Sequence, residues 1–227
     1  MLNLKKLFLL RKITRKLGLN PLLFRLLYGN KSYEQYFDNK FSSSLVEGDI
    51  VLDIGANVGF YTKDFAKIVS GTGLIFAIEP SEINFNKLKE TSKNFSNIIP
   101  LNLAIGSKND KLFISQGEDE LGANSRISNI ETKNGKWVDV LTIDDLVKMH
   151  KQPSAIKIDV EGFEIEVLKG SLLTLKSKTL RMIGIEVHTS ILHENGINNG
   201  PEQIEQILIS NGFKIEWTDF SHIVATR

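Results

Sequence analysis

The sequence predicts a doubly wound α/β domain: a mostly parallel sheet with helices on both faces and an antiparallel strand at one edge. Short runs rich in β-branched and aliphatic residues alternate with helix-length segments from Asp49 onward, the rhythm of a parallel sheet. Glycine, asparagine and proline punctuate the joins between them. The last two strand-like runs are separated only by a short polar turn, so they must pair antiparallel.

The chain has 227 residues, enough for one domain with a sizeable core and a small extension. The expected division is a basic helical extension over residues 1–44 and the α/β domain over 45–227, with 107–140 as inserted strands or a lid. Residues 1–25 carry Lys5, Lys6, Arg11, Lys12, Arg15, Lys16 and Arg25, with no acid before Glu34; removing these seven from the net +1 leaves −6 for the rest. Leu7, Leu10, Ile13 and Leu17 recur at helical spacing, which makes a basic amphipathic helix. One reading of such a helix is contact with an anionic membrane surface or a nucleic acid backbone. The plainer reading, which weighs more, is a leader helix packed on the domain or a partner with its lysines in water. The apolar run Leu7–Leu10 is too short to span a bilayer, and no small-residue cleavage site follows it.

Tyr33–Phe41 reads as a short amphipathic helix. Ile50–Ile54 follows as a buried strand, Phe60–Val69 as a helix, Gly71–Gly73 as a turn and Leu74–Ile78 as a second strand stopped by Pro80. Glu82–Asn94 is helical, Ile98–Asn102 is a third strand, and Ala104–Gly106 turns away from it. Lys111–Ser115 and Trp137–Leu141 alternate like antiparallel strands around the polar Gly117–Gly135 stretch. Thr142 caps a short helix through about Met149. Ala155–Ile158 is the fourth core strand, Glu164–Lys176 a helix and Arg181–Val187 the fifth strand. Pro201–Asn211 is a helix stopped by Gly212, before the closing strands Phe213–Trp217 and His222–Thr226.

Cysteine is absent, which removes disulfides and thiolate chemistry and suits a reducing, cytoplasmic setting. There is no Walker A loop, no Gly-x-Ser-x-Gly elbow and no kinase signature. The fold itself directs attention to the carboxyl ends of the strands, where ligands of doubly wound sheets bind. These ends carry Asp53, Glu79, Asn102, Asp159, and Glu186 with His188. Any one polar strand end is unremarkable, but five on one rim make a site.

Gly55 and Gly59 let backbone approach a ligand, and Asn57 tolerates a left-handed conformation between them. Asp53 puts a negative charge at this turn, which argues against a pyrophosphate and for a cationic ligand such as the sulfonium and ammonium of S-adenosylmethionine. Glu79, 20 residues beyond Gly59, suits ribose hydroxyls. Asp159 and Glu161 stand where a substrate would meet the cofactor, and His188 or Asp159 is the candidate base. Asp159, Glu186 and His188 could also gather around a divalent ion, but no tight ligand spacing demands one and no metal is assigned.

The runs Asp53–Thr62 (DIGANVGFYT), Ile78–Pro80 (IEP), Val140–Leu146 (VLTIDDL) and Ile156–Gly162 (IKIDVEG), with Glu164 and Val167–Gly170 (VLKG) following, together resemble the FkbM family of methyltransferases. The resemblance spans roughly residues 45–220. It implies a Rossmann-like class I methyltransferase fold with a seven-stranded, mostly parallel sheet and an antiparallel edge strand. It also implies S-adenosyl-L-methionine as donor and O-methylation of a hydroxyl on a sugar, glycan or natural-product acceptor. Asp53, Gly55, Asn57 and Gly59 would hold the methionine end, with Ala56, Tyr61 and Thr62 from the same run; Glu79 would hold the ribose. The adenine would lie near Pro80, Ser81, Asn102 and Ala104. Asp159, Glu161 and His188 would face the methyl group and acceptor, Asp159 also touching the donor. Acceptor choice would sit in the basic leader and in Gly117–Gly135. No nucleic-acid partner is expected. The rival readings are an NAD-dependent oxidoreductase, against which Asp53 and the missing third glycine speak, and a non-catalytic S-adenosyl-binding or membrane-surface module.

Overall fold

A computed structural model describes residues 34–115, 126–128 and 135–227. The basic leader with its expected membrane contact, and most of Gly117–Gly135, lie outside the described residues. Helix α1 (Glu34–Ser43) precedes strand β1 (Ile50–Ile54), helix α2 (Phe60–Val69), β2 (Leu74–Ile78), α3 (Glu82–Ser92) and β3 (Ile98–Leu101). A smaller sheet follows, made of β4 (Ala104–Ile105), β5 (Asp110–Ser115), β6 (Arg126–Ser128) and β7 (Gly135–Leu141). The chain then returns through α4 (Ile143–Met149), β8 (Ala155–Ile158), α5 (Glu164–Lys169), a 3-10 turn at Thr174–Lys176 and β9 (Met182–Glu186). It ends with α6 (Thr189–Glu194), α7 (Gly200–Ser210), β10 (Lys214–Trp217) and β11 (His222–Thr226).

The main sheet has seven strands in the order β10-β11-β9-β8-β1-β2-β3. β3, β2, β1, β8 and β9 run parallel, and β11 pairs antiparallel with both β9 and β10. The antiparallel strand is thus inserted one place in from the edge. Period-two alternation divides the core. Leu52, Ile54, Phe76, Ile78, Ile156 and Ile158 pack on one face with α4, α5 and α7. Val51, Ile75, Ala77 and Ala155 pack on the other with α1 and α2.

Helix α1 belongs to this core. Phe37 and Phe41 are buried, and the Phe41 ring lies 5.2 Å from that of Phe65 on α2. The boundary expected at residue 44 therefore falls inside packed structure. Phe41→Ala is expected to lower stability by about 3–5 kcal/mol, read as a reduced denaturation midpoint with an unchanged slope.

Three local expectations are corrected. Ala104–Ile105 is not a turn but a short strand pairing parallel with β7, at the edge of the smaller sheet. The helix expected over Glu164–Lys176 stops at Gly170, where a Cβ would stand 2.0 Å from the Gly106 carbonyl oxygen, so two backbones touch. Helix α6 was not expected; it is six residues long and its cap, His188, makes no side-chain capping bond to signal it.

Candidate active site

The ends of β1, β2 and β8 border a cleft enclosing about 840 Å³ with its open mouth, within the size range of small-molecule sites. Its floor is the turn after β1. Gly55, Asn57 and Gly59 adopt φ of 80°, 50° and 88°, so the expected tolerance of Asn57 for the left-handed region is used. The Gly55 and Ala56 N–H groups both donate to the Ile78 carbonyl at 2.9 Å. A Cβ on Gly55 would lie 1.7 Å from the Asp159 carbonyl oxygen, which explains glycine there.

Glu79 dominates one end of the cleft. Its Oε2 accepts from the Asn57 N–H and its Oε1 from the Ser81 N–H, each at 2.9 Å. Each oxygen keeps lone pairs for an incoming hydroxyl. Burial pushes its carboxyl up to about 7, against the two N–H groups and with Asp159 and Asp53 adding to the rise. Ser81 and Asn84 also belong to the lining and are 3% exposed. Ser81 Oγ and Asn84 Oδ1 have no hydrogen-bond partner among the described residues, as expected of groups kept for a polar ligand such as a purine. Pro80 and Ala104 line the same end, with Ile78, Leu103 and Ile114 as apolar walls that the sequence reading missed. Asn102 does not line the cleft; its amide donates to the Glu79 and Pro80 carbonyls and so fixes the end of β2.

Asp53 departs from expectation. It is fully buried and absent from the lining, because its Oδ2 accepts the Thr62 hydroxyl at 2.6 Å and its Oδ1 faces Lys157 Nζ at 3.6 Å. Its charge answers Lys157 rather than a ligand. Thr62, Ala56, Gly59 and Tyr61 are likewise outside the lining and shape the turn from behind. Tyr61 covers the same lysine, with Nζ 5.0 Å from its ring centroid.

Lys157 is the residue that sequence reasoning missed. It is 3% exposed on β8, in register with Asp53, and donates to Asp159 Oδ2 at 3.3 Å. Burial works against its charge, and Asp159 and Asp53 overcome that, holding it protonated. Burial likewise raises Asp159, but Lys157 and His188 outweigh it and leave the carboxyl below its usual range. The available signal was a lone lysine in an otherwise apolar strand.

Asp159, Glu161 and His188 do come together. His188 Nδ1 lies 2.8 Å from Oε1 of Glu164, a wholly buried carboxylate that orients the ring. Its Nε2 faces Glu161 Oε2 at 3.4 Å, Glu186 Oε1 at 3.8 Å and Asp159 Oδ1 at 3.9 Å. Burial disfavours the imidazolium, yet the Glu164 bond and the neighbouring carboxylates raise its pKa to about 9. At neutral pH His188 is therefore charged as it stands, which argues against it as the base. Glu161 adopts φ 49° and is half-exposed at the mouth, with its carboxyl raised chiefly by burial.

Comparison with known proteins identifies the architecture. The model of the methyltransferase FkbM domain matches residues 53–215. The chain belongs to the FkbM methyltransferase family. Family membership brings S-adenosylmethionine as methyl donor and sets aside the oxidoreductase reading. A hexuronic acid methyltransferase, AglP of Haloferax volcanii, is 30% identical over 148 residues, covering 64% of this chain and 58% of that protein. The chain thus spans little more than half the length of that relative. Among solved structures, methyltransferase FkbM of Methylobacillus flagellatus superposes with a TM-score of 0.60 at 17% identity, covering 86% of this chain and 50% of that one. A precorrin-6y C5,15-methyltransferase from Geobacter metallireducens superposes with a TM-score of 0.50 at 13% identity, covering 86% and 88%. The shared fold is the class I methyltransferase fold.

With its raised carboxyl, Glu79 is expected to give donor binding a pH dependence. Hydroxyl donors favour the ionised form, so the donor product S-adenosylhomocysteine is expected to bind more weakly below about pH 7, by up to tenfold per unit. Binding there should release a proton, detected by calorimetry in buffers of different ionisation enthalpy. The sign for folding is opposite. A raised native pKa favours the ligand-free fold below the unfolded value near 4.5, and that contribution is lost as pH rises through about 7.

Proposed function

We propose that this chain transfers a methyl group from S-adenosylmethionine to a hydroxyl of a sugar or glycan. One observation carries the reading: a single cleft in an FkbM domain has a hydroxyl-accepting carboxylate, Glu79, at one end and the Asp159–Glu161 pair beside His188 at the other. The hexuronic acid methyltransferase relative supports a sugar acceptor. When bound, the donor supplies an electrophilic methyl group on its sulfonium. Glu79 would accept both ribose hydroxyls, Ser81 and Asn84 would meet the adenine, and the turn at Gly55–Asn57 would carry the methionine end. In-line displacement needs mainly positioning, which the rigid strand ends provide. Asp159, held by Lys157, orients the acceptor hydroxyl, and the half-exposed Glu161 takes its proton. The acidic surroundings of His188 also favour a cationic sulfonium nearby.

Incubation with methyl-labelled donor and a panel of sugars and glycans tests the reading. Label is expected in a hydroxyl ether and is expected to fall at least about 100-fold in Asp159→Asn. Transfer to none of the panel, or unchanged transfer in the variant, would contradict it. Among the described residues, no helix is long and apolar enough to cross a membrane. The seven cations of residues 1–25 support peripheral attachment to anionic lipid, tested by vesicle co-sedimentation of the full chain and a chain lacking them.

A further inference from the structure

The acceptor end of the cleft carries a donor set that methyl transfer alone does not require. Asp159, Glu161 and His188 each offer one ligand atom, and the three atoms all lie within 4.8 Å of one another. The Nε2–Oε2 and Nε2–Oδ1 separations of 3.4 and 3.9 Å exceed hydrogen-bond length. They approach the separation of roughly 3 Å between neighbouring ligands of an ion bound at about 2.1 Å in octahedral geometry. The ring is also prepared for such a role. Metal-bound imidazoles almost always give their second nitrogen to a carboxylate, and Nδ1 of His188 is held at 2.8 Å by Glu164; an ion at Nε2 would displace the proton that the ring carries without it.

A second observation points the same way. Glu164 is 0% exposed, and its Oε2 has no hydrogen-bond partner among the described residues. Its Oε1 lies against His188 Nδ1 and also accepts the Gly162 N–H at 2.9 Å. A wholly buried carboxylate, one oxygen unpartnered, thus stands directly behind the ring that completes the donor set. Glu186 adds a further carboxylate 3.8 Å from Nε2 and reaches His222 Nε2 at 3.5 Å, itself held by Asp219 at 2.9 Å. Lys157, a cation beside Asp159, is engaged by Asp53 and Asp159.

We propose that Asp159 Oδ1, Glu161 Oε2 and His188 Nε2 form a divalent-cation site that leaves open positions toward the cleft. Two carboxylates with one imidazole suit a borderline-hard octahedral ion such as Mn²⁺. Open positions would accept two neighbouring hydroxyl oxygens of a sugar, orienting one for methylation and making its proton easier to lose. Glu161 Oε1, outside the donor set, remains to take that proton. This catalytic role rests on the methyl-transfer reading; the cation site itself does not.

The test is titration of the full chain with MnCl₂ alone, following loss of the free Mn²⁺ paramagnetic resonance signal. One ion per chain is expected, with a dissociation constant between about 10⁻⁶ and 10⁻⁴ M. Electron spin-echo modulation from a bound imidazole nitrogen should appear and vanish in His188→Ala. His188→Ala and the isosteric Glu161→Gln should each weaken binding at least about tenfold, whereas the surface variant Asp110→Asn should not. No stoichiometric site below about 1 mM, no nitrogen coupling, or wild-type affinity in Glu161→Gln would overturn the proposal. Should His188→Ala fail to fold, Glu161→Gln and the wild-type nitrogen signal decide. S-adenosylhomocysteine binding, measured in parallel, separates the readings. A chain that binds it without Mn²⁺ keeps the methyltransferase reading and loses the cation site.

Discussion

Lys157→Met is expected to destabilise the protein by about 3–5 kcal/mol, a fall in Tm of roughly 10 °C for a chain of this size. The reason is the company the lysine keeps. Asp53 is fully buried, and among the described residues its Oδ1 has no hydrogen bond, only Lys157 Nζ at 3.6 Å. Removing the ammonium leaves that carboxylate uncompensated in the interior, with Asp159 losing its 3.3 Å partner as well. Combining Lys157→Met with Asp53→Asn should recover more than half of the loss, because the orphaned charge disappears. Thermal unfolding of the single and double variants checks this. Additive losses would show that Asp53 and Lys157 do not act as a pair.

Glu79→Gln is expected to weaken S-adenosylhomocysteine binding about 100-fold. A charged acceptor contributes about 1.5–3 kcal/mol per hydrogen bond, and two ribose hydroxyls are at stake. The substitution also harms the site before any ligand arrives. Both carboxylate oxygens receive a backbone N–H, from Asn57 and Ser81. A glutamine offers one oxygen and must turn its NH₂ group toward the other N–H. The floor turn and the β2 end would then lose their common anchor. Calorimetry on the folded variant checks the affinity, and its denaturation midpoint separates a local loss from global unfolding.

Much of the fold was legible because parallel strands announce themselves as short aliphatic runs and helices as periodic ones. Ile50–Ile54, Phe60–Val69 and His222–Thr226 fall at the residues expected for them. What escaped were features set by tertiary contact. Ala104–Ile105 is a strand only because β7 lies beside it, and Gly170 ends a helix because Gly106 presses against it. Neither neighbour is near in sequence.

The site divides the same way. Glu79, Asp159, Glu161 and His188 converge as the strand-end rule requires, since topology alone decides which loops share a rim. Asp53 was misread because charge was inferred at the turn without its buried neighbour across the sheet. Register pairs it with Lys157, more than 100 residues on, and no local pattern discloses that. Apolar walls such as Leu103 and Ile114 escaped for a simpler reason: nothing distinguishes a lining leucine from a core one until the cleft exists.

The most direct measurement is a calorimetric titration of the full chain with S-adenosylhomocysteine and, in parallel, with NAD. One S-adenosylhomocysteine site per chain with a micromolar dissociation constant is expected, and no heat from NAD. Saturable NAD binding, with none of S-adenosylhomocysteine, would contradict a methyl-donor cleft built around Glu79.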